Sequence, residues 1–330
     1  MEGGEEILRI LAGPLRRLLA AAPVSFGELT ELRLRSGQPL FLKYRGREYS
    51  LTEGGRLAAA DLRGGAGTAG DAGLHIVTAR ELRETLEYAG SYSLYAYEEE
   101  VRQGFLTVQG GHRVGLAGRA VLENGRIKTL KNISFLNIRV AHQLVGCAAL
   151  VEPYLWEEGR LLHTLIVSPP GCGKTTLLRD LIRILSDERG LTVGVADERS
   201  EIAACYQGVP QNDVGKRTDV LDNCPKAAGL SMLIRSMAPE AAAVDEIGGQ
   251  ADLLAVREAG QCGCSILATA HGASLEEVRE KPGFSELFRE GFFGRYLLLG
   301  RTGEKAAGAV LGIYDKRGAG LKKEKQEGST

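Results

Sequence analysis

The sequence contains no long apolar run: no window of about 18 residues is free of polar side chains, so we expect no membrane-spanning helix. Aromatic residues make up only 6% of the chain, and the formal net charge is −1. No basic stripe is interleaved with aromatic side chains, so we expect no nucleic-acid partner. The first residues, Met1-Glu-Gly-Gly-Glu-Glu, are acidic and do not form a secretory signal. These absences together predict a cytoplasmic protein.

Cysteine is present but lacks the paired spacing of a metal-binding finger. The six cysteines are Cys147, Cys172, Cys205, Cys224, Cys262 and Cys264. Cys262 and Cys264 are separated by one glycine, in a segment that has the pattern of a buried strand. Free thiols in a reducing cytoplasm explain this usage better than a metal or redox site does.

The length of 330 residues suggests about two domains. We predict an N-terminal helical segment over 1–24, an α/β domain over 25–152, a nucleotide-binding domain over 153–315 and a basic, disordered tail over 316–330. Within the first domain, residues 54–73 are rich in Gly and Ala, which predicts a flexible loop.

Local patterns in the first half predict strands, one helix and one tight turn. Thr78 followed by Glu81 forms a capping box, which predicts a helix that runs to Ala89. Asn124-Gly125 between apolar runs predicts a hairpin. Strands are predicted at Leu29–Arg35, Pro39–Tyr44, Gly104–Val108, His112–Leu116, Arg119–Leu122 and Ile133–Val140.

The short motif with the clearest chemistry is segment 168–176, which follows the apolar run Leu161–Val167 and precedes a helical pattern. Its Gly-Lys-Thr-Thr ending, in a strand–loop–helix setting, predicts a phosphate-binding loop. Small residues let backbone N–H groups surround the β-phosphate, Lys174 reaches the β- and γ-phosphates, and Thr175 ligates Mg²⁺. Ser168 stands where the motif has glycine, which is a small departure. The predicted ATP-binding residues are Ser168, Pro169, Pro170, Gly171, Cys172, Gly173, Lys174, Thr175 and Thr176.

The second half alternates strand-like and helix-like segments, which predicts a parallel sheet with crossover helices. The strands are expected at Thr164–Ser168, Leu191–Ala196, Ala241–Val244 and Cys264–Ala268. The helices between them are expected at Lys174–Ser186, Ala227–Met237 and Ala251–Gly260.

Polar residues follow three of these strands, and ligands bind beyond the carboxyl ends of such strands. Asp245 and Glu246 follow one strand, which predicts that Asp245 holds Mg²⁺ through water while Glu246 orients or deprotonates the attacking water. Segment Asp197–Glu201 follows a second strand, and its Glu198 is the competing candidate for the base. His271 follows the third strand, in a position that suits a sensor of the γ-phosphate.

Two other classes of nucleotide-binding protein fit the sequence poorly. An ABC-type ATPase needs a Leu-Ser-Gly-Gly-Gln-like signature before the Asp-Glu strand, whereas the nearest match, Ile247-Gly-Gly-Gln250, follows that strand. A GTPase needs an Asn/Thr-Lys-x-Asp motif that binds guanine, and the second half has none. The predicted cofactors are therefore ATP and Mg²⁺.

Longer strings resemble the stage III sporulation protein AA family. They are Gly110-Gly-His-Arg-Val-Gly-Leu-Ala-Gly-Arg-Ala-Val121, Thr129-Leu-Lys-Asn-Ile-Ser-Phe-Leu-Asn-Ile-Arg139, Val195-Ala-Asp-Glu-Arg-Ser-Glu201 and Val244-Asp-Glu-Ile-Gly248. The resemblance covers roughly residues 25–315, apart from the Gly/Ala-rich segment. That family is in turn similar to the ATPases of type II and type IV secretion systems, which are RecA-like hexamers.

The resemblance implies a RecA-like P-loop domain with a parallel-rich sheet, preceded by a smaller α/β domain. It matches the Asp-box carboxylate to Asp197–Glu201, the second acidic motif to Asp245-Glu246 and the His box to His271. It also implies that Arg113 and Arg139, and more weakly Arg119, stabilise the developing charge on the phosphates.

The resemblance further implies a motor that forms a homo-oligomeric ring, expected to be a hexamer. It would power a sporulation-specific channel complex of membrane proteins, from the membrane around the developing spore. Two alternatives stay open from the residues: a RecA-like motor that depends on nucleic acid, and an ATP-gated scaffold that hydrolyses slowly.

Overall fold

The computed structural model describes residues 4–59, 73–92, 98–302 and 306–323. The chain divides into two units between His142 and Gln143, earlier than the boundary expected at residue 152. Among the described residues, no helix combines the length and the apolar character that crossing a bilayer requires.

The first unit is built on an antiparallel sheet of seven strands in the order β4-β3-β2-β1-β7-β6-β5. Its strands are β1 (Leu29–Arg35), β2 (Phe41–Tyr44), β3 (Arg47–Leu51), β4 (Leu57–Ala59), β5 (Phe105–Thr107), β6 (Arg113–Glu123) and β7 (Arg126–Arg139). Its helices are α1 (Glu5–Ile10), α2 (Gly13–Ala21), α3 (Ala79–Ala89) and α4 (Glu98–Gln103).

Local sequence signals explain how several of these elements begin and end. The Thr78 hydroxyl accepts from the Glu81 N–H at 3.1 Å, and the Glu81 carboxylate accepts from the Thr78 N–H at 2.8 Å, so the predicted capping box of α3 is confirmed. Asn124 and Gly125, with φ of 52° and 75°, form the predicted turn between β6 and β7. The two strands predicted at 112–116 and 119–122 are one continuous strand, because pairing with β7 resumes after a register shift between Ala117 and Arg119.

Three expectations for the chain's ends and loops differ from the structure. Residues 1–24 were expected to form a separate segment, but Ile7, Leu15 and Leu19 of α1 and α2 lie in the core of the first unit. Strand β4 lies inside the predicted loop 54–73, of which 60–72 are outside the described residues. The expected disordered tail contains β17 (Gly320–Lys323), which pairs with β16, while 324–330 are outside the described residues.

The second unit is built on an eight-stranded sheet in the order β12-β11-β13-β14-β10-β15-β16-β17. Its strands are β10 (Thr164–Ser168), β11 (Val193–Asp197), β12 (Thr218–Asp222), β13 (Ala241–Val244), β14 (Ser265–His271), β15 (Arg295–Thr302), β16 (Ala306–Asp315) and β17. The first six strands in this order, which end with β15, are parallel to one another. Strands β16 and β17 are antiparallel and lie at one edge of the sheet. A small hairpin, β8 (Trp156–Glu157) and β9 (Arg160–Leu161), precedes β10.

Helices cover the parallel part of this sheet and bury its strands. They are α5 (Lys174–Asp187), α6 (Lys226–Met237), α7 (Gln250–Gln261), α8 (Leu275–Glu280) and α9 (Phe284–Glu290). Ile166 of β10 packs in the apolar cluster that contains the α5 leucines, whereas Leu165 and Val167 pack with α7 in a second cluster. Alternate residues of one strand thus serve two cores, which confirms the predicted α/β class with crossover helices.

Candidate active site

The loop between β10 and α5 contains the predicted phosphate-binding residues. All five residues of β10 are buried, and the chain then turns through Gly171 and Gly173, whose φ values are 69° and 80°. Glycine suits both positions, because a side chain strains the backbone at positive φ. Ser168, where the motif has glycine, is buried and donates its hydroxyl to the Pro169 carbonyl at 2.8 Å. Its hydroxyl is therefore satisfied locally, so the departure from glycine is structurally harmless.

A chain of charged groups connects this loop to the ends of two strands. Lys174, the first residue of α5, is buried, and its Nζ lies 3.1 Å from His271 Nδ1. An ammonium only donates, so Nδ1 accepts and a neutral imidazole carries its proton on Nε2. His271 Nε2 lies 2.8 Å from Glu246 Oε1, and Arg199 contacts the other oxygen of Glu246 at 3.3 Å.

Asp245 lies directly after β13, and its carboxylate accepts hydrogen bonds from hydroxyl groups on two other elements. Thr175 of α5 donates to one of its oxygens, and Thr269 of β14 donates to the other. The Thr269 hydroxyl in turn accepts from the Glu246 N–H at 2.8 Å, which fixes the backbone that carries both carboxylates. Glu246 has a φ of 53°, so this turn also depends on an unusual backbone conformation.

The oxygen atoms of Thr175 and Asp245 fit a magnesium ion. Mg²⁺ prefers oxygen ligands and is commonly bound by one or two protein groups together with substrate phosphates and water. The described residues contain no group of three or more His, Cys, Asp or Glu side chains that could hold a metal ion by themselves. Thr175 and Asp245 could supply two of the oxygen ligands of such an ion.

Segment Asp197–Glu201 is held in place by the carboxyl group at its beginning. Asp197 is buried and accepts the backbone N–H groups of Glu201, Ile202 and Ala203 at 2.9, 3.0 and 2.9 Å. Burial raises the pKa of Asp197 to about 6, against the opposing effect of these hydrogen bonds. Asp197 is thus a structural carboxyl group.

Glu198 has a different environment from Asp197, because it pairs with Lys226 at the start of α6. Both competing bases, Glu198 and Glu246, line one shallow pocket. The lining residues are Asp197, Glu198, Arg199, Glu201, Lys226, Asp245 and Glu246.

The structure brings most of the predicted site residues together but changes one detail. His271 was expected to follow its strand, whereas it lies within β14, which extends to His271. Parallel pairing sets Ser168 beside His271, which explains how the histidine reaches the loop.

Arg113 and Arg139 lie in the first unit, on neighbouring strands. They are direct cross-strand partners on β6 and β7, and the Arg113 guanidinium lies 3.6 Å from the centre of the Phe105 ring. Two like charges directly opposite each other are unfavourable in a sheet unless something compensates them. Glu31 of β1 is the partner of Arg139 on its other side, so a carboxylate residue lies beside this pair.

Four contributing residues were missed by sequence reasoning. Thr269 anchors Asp245, Lys226 neutralises Glu198, and half-buried Arg179 donates to the carbonyls of Glu201 and Ile202 at 2.6 Å each. Arg301 lies close to Gly171 of the loop. Thr269 stands in the string Thr269-Ala270-His271 and could have been found there, but the other three lie in segments without a motif.

Comparison with known proteins identifies the family. A model of the family described as "Sporulation stage III, protein AA" matches residues 1–321. The chain belongs to this family. Its relative "Stage III sporulation protein AA" of Bacillus subtilis (strain 168) is 43% identical over 318 residues, which are 95% of each chain. The resemblance inferred from the sequence is therefore confirmed.

Two solved structures share the fold at low sequence identity. The ATPase DotB of Legionella pneumophila has a TM-score of 0.54 and 15% identity, over 86% of this chain and 75% of DotB. The pilus retraction motor PilT, solved with bound ADP, has a TM-score of 0.57 and 12% identity, over 93% of this chain and 82% of PilT. The chain thus has a mixed α/β fold, with more than one sheet, that resembles secretion ATPases.

Proposed function

We propose that this protein is a magnesium-dependent ATPase whose second unit, Gln143–Thr330, is a RecA-like P-loop domain, and that its hydrolysis cycle drives a secretion-type motor. The observation that carries the proposal is the set of contacts around the loop 168–176. Thr175 contacts Asp245, and Lys174 contacts His271, which contacts Glu246. A cation for phosphates, oxygen ligands for Mg²⁺ and a carboxylate for water thus lie within one hydrogen-bonded network.

Nucleotide binding is proposed to use the loop and the start of α5. Backbone N–H groups of 171–175 surround the β-phosphate, and the helix contributes the positive end of its dipole. Lys174 exchanges His271 for the β- and γ-phosphates. Thr175 and, through water, Asp245 would hold Mg²⁺, which neutralises phosphate charge when it is bound. The ADP in the PilT structure supports a nucleotide ligand for this fold.

Hydrolysis is proposed to use Glu246 as the carboxylate that orients and deprotonates the attacking water. Its two oxygens already contact His271 and Arg199, so its direction is fixed before substrate binds. His271 links the base to the phosphate-binding lysine, which suits a group that senses the γ-phosphate. Arg113 and Arg139 are proposed to stabilise charge on the transferring phosphoryl group.

The cellular role follows from the family and the fold. We propose that the protein forms a homo-oligomeric ring, a hexamer by analogy with secretion ATPases, and lies peripherally at the membrane facing the developing spore. There it would power a sporulation-specific channel complex of membrane proteins. Sporulation is supported by the family match, and a motor role is supported by the likeness to PilT and DotB.

Lys174→Ala provides the test of the nucleotide site. Removal of this buried cation should lower the steady-state ATPase rate at least tenfold, since charge-assisted contacts to phosphate are lost. Lys216→Ala, which removes an exposed lysine of the same unit, is the matched control and should retain the wild-type rate. Unchanged hydrolysis in Lys174→Ala would overturn the site.

The same assay separates the alternative functions. A rate that rises strongly with single-stranded DNA would favour a nucleic-acid-dependent motor. Ring assembly on ATP with negligible turnover would favour a scaffold.

A further inference from the structure

Arg301 lies alongside the phosphate loop because β15 extends several residues further than its neighbour β10. The two strands pair in parallel up to Val167 and Leu298, after which β10 ends at Ser168 and β15 continues to Thr302. The last residues of β15 therefore run beside the loop, past the carboxyl end of β10. Ligands of parallel sheets bind at this edge.

Two close approaches show that the β15–β16 hairpin lies beside the loop. The Arg301 guanidinium lies 3.8 Å from the position that a Cβ would take on Gly171. A Cβ on Gly173 would lie 3.2 Å from the Cα of Gly308, on β16, so these two backbones are nearly in van der Waals contact. Gly308 has a φ of 91°, and the β15–β16 register shifts beside it, between Gly300 and Arg301. Glycines on both sides thus permit the close approach that brings Arg301 to the loop.

The electrostatics of the site call for another cation here. The shallow pocket is lined by five carboxylates and two cations, and both cations are paired: Arg199 with Glu246 and Lys226 with Glu198. A phosphate chain placed next to such a surface needs positive charge from elsewhere. Arg301 is exposed, and no carboxylate of the described residues forms an ion pair with it.

We propose that Arg301 binds the phosphate chain of the nucleotide held by the loop of its own chain. This inference rests on the proposed ATPase function and adds to it a phosphate-binding residue outside the recognised motifs. A guanidinium suits this task, because its planar donors can contact two phosphate oxygens at once. Arg301 would complement Lys174. The lysine would approach the phosphates from the start of α5, and the arginine would approach them from β15, which pairs with β10.

The first experiment measures nucleotide affinity in purified full-length protein. Arg301→Ala should weaken binding of a fluorescent ATP analogue about tenfold or more, as expected for loss of a charged hydrogen bond. Arg301→Lys should recover part of the affinity, because it keeps the charge but not the fork of donors. Arg160→Ala, an exposed arginine of β9, should bind as wild type does. Wild-type affinity in Arg301→Ala would overturn the inference.

The second experiment uses the wild-type protein and so does not depend on the folding of a variant. Phenylglyoxal modifies accessible arginines, and mass spectrometry locates the modified residues. ATP with Mg²⁺ should protect Arg301 at least several-fold and leave Arg160 unchanged. Equal modification of Arg301 with and without nucleotide would contradict the inference.

Two further results separate this inference from the proposed function. If wild type binds no ATP, the proposed function itself fails; if wild type binds ATP and Arg301→Ala does so equally, only this inference fails. Because both residues serve one site in one chain, a mixture of Arg301→Ala and Lys174→Ala proteins should show no more activity than the sum of the two. Restored activity would show that Arg301 acts on a neighbouring copy.

Discussion

At the scale of single residues, His271 has the central position in the site. It accepts from Lys174 through Nδ1 and donates to Glu246 through Nε2, so one neutral ring joins the cation that we propose binds phosphate to a carboxylate. Withdrawal of Lys174 toward phosphate would leave Nδ1 without this donor. A change in the bound nucleotide would thereby alter the hydrogen bond between His271 and Glu246, whose other oxygen contacts Arg199.

Glu246→Gln tests which carboxylate activates water. The amide keeps the shape of the side chain but cannot accept a proton, so hydrolysis should fall at least tenfold while ATP binding persists. Steady-state turnover and nucleotide affinity, measured on the same preparation, provide the comparison. Glu258→Gln, on the exposed side of α7, is the control.

Glu198→Gln distinguishes the two candidate bases. Glu198 is paired with Lys226 and does not share the contact with His271, so its substitution should reduce turnover less than Glu246→Gln does. The assignment to Glu246 fails if Glu198→Gln binds ATP but hydrolyses it more slowly than Glu246→Gln.

At the scale of elements, the segment after β11 is stabilised by a buried carboxyl group and by α5. Asp197 accepts three consecutive backbone N–H groups, and Arg179 donates to two carbonyls of the same segment. Glu198 and Arg199 therefore lie in a turn that these hydrogen bonds stabilise. Because three of these bonds go to Asp197, the stability of the turn depends on the charge of its carboxyl group.

The raised pKa of Asp197 predicts a dependence of stability on pH. A carboxyl group whose pKa rises from 3.8 to about 6 on folding binds more protons in the native than in the unfolded state between these values. Its contribution to the free energy of unfolding is therefore largest below about pH 4 and falls by up to roughly 3 kcal/mol as the pH rises through about 6.

Urea denaturation of wild type and Asp197→Asn at several pH values measures this contribution, since the amide does not titrate. The difference in unfolding free energy, wild type minus variant, should decrease from about pH 4 to about pH 7. A difference that stays constant over this range would falsify the assignment of the raised pKa to Asp197.

At the scale of the whole molecule, the residues proposed to act on the nucleotide are divided between the two units. The second unit contains the loop, the carboxylates and Arg301, whereas Arg113 and Arg139 lie on the sheet of the first unit. If a neighbouring copy in a ring supplies these two arginines, hydrolysis requires assembly as well as ATP binding.

Assembly predicts that activity per molecule rises with protein concentration, in step with an ATP- and Mg²⁺-dependent increase in mass measured by light scattering. An Arg113→Ala/Arg139→Ala protein has an intact loop, and a Lys174→Ala protein has intact arginines, so mixing them should restore part of the activity. Mixing Lys174→Ala with Glu246→Gln is the control and should restore no activity, because both residues are proposed to act in the nucleotide site of one and the same chain. Flat specific activity and no restoration would mean that the arginines do not act between copies.

Much of the local structure follows from short-range signals in the sequence. The capping box at Thr78, the Asn124-Gly125 turn and the strand–loop–helix around 168–176 each depend on atoms a few residues apart, so their pattern predicts them directly. Strands β12, β15, β16 and β17 were not predicted; β12 and β17 lie at the edges of the sheet and take their form from the one neighbour with which each pairs.

The connections within the site depend instead on strand order. Thr175 and Asp245 are 70 residues apart in the chain, and Lys174 and His271 are 97 apart, yet each pair is in hydrogen-bond contact. Motifs in the sequence named all four residues but could not tell which would touch. Arg301 and Lys226 carry no motif at all, and only the packing of β15 beside β10 and of α6 beside β11 brings their charges to the site. Side-chain chemistry is thus readable residue by residue, whereas its arrangement arises from long-range pairing, in which the register between strands determines which side chains meet.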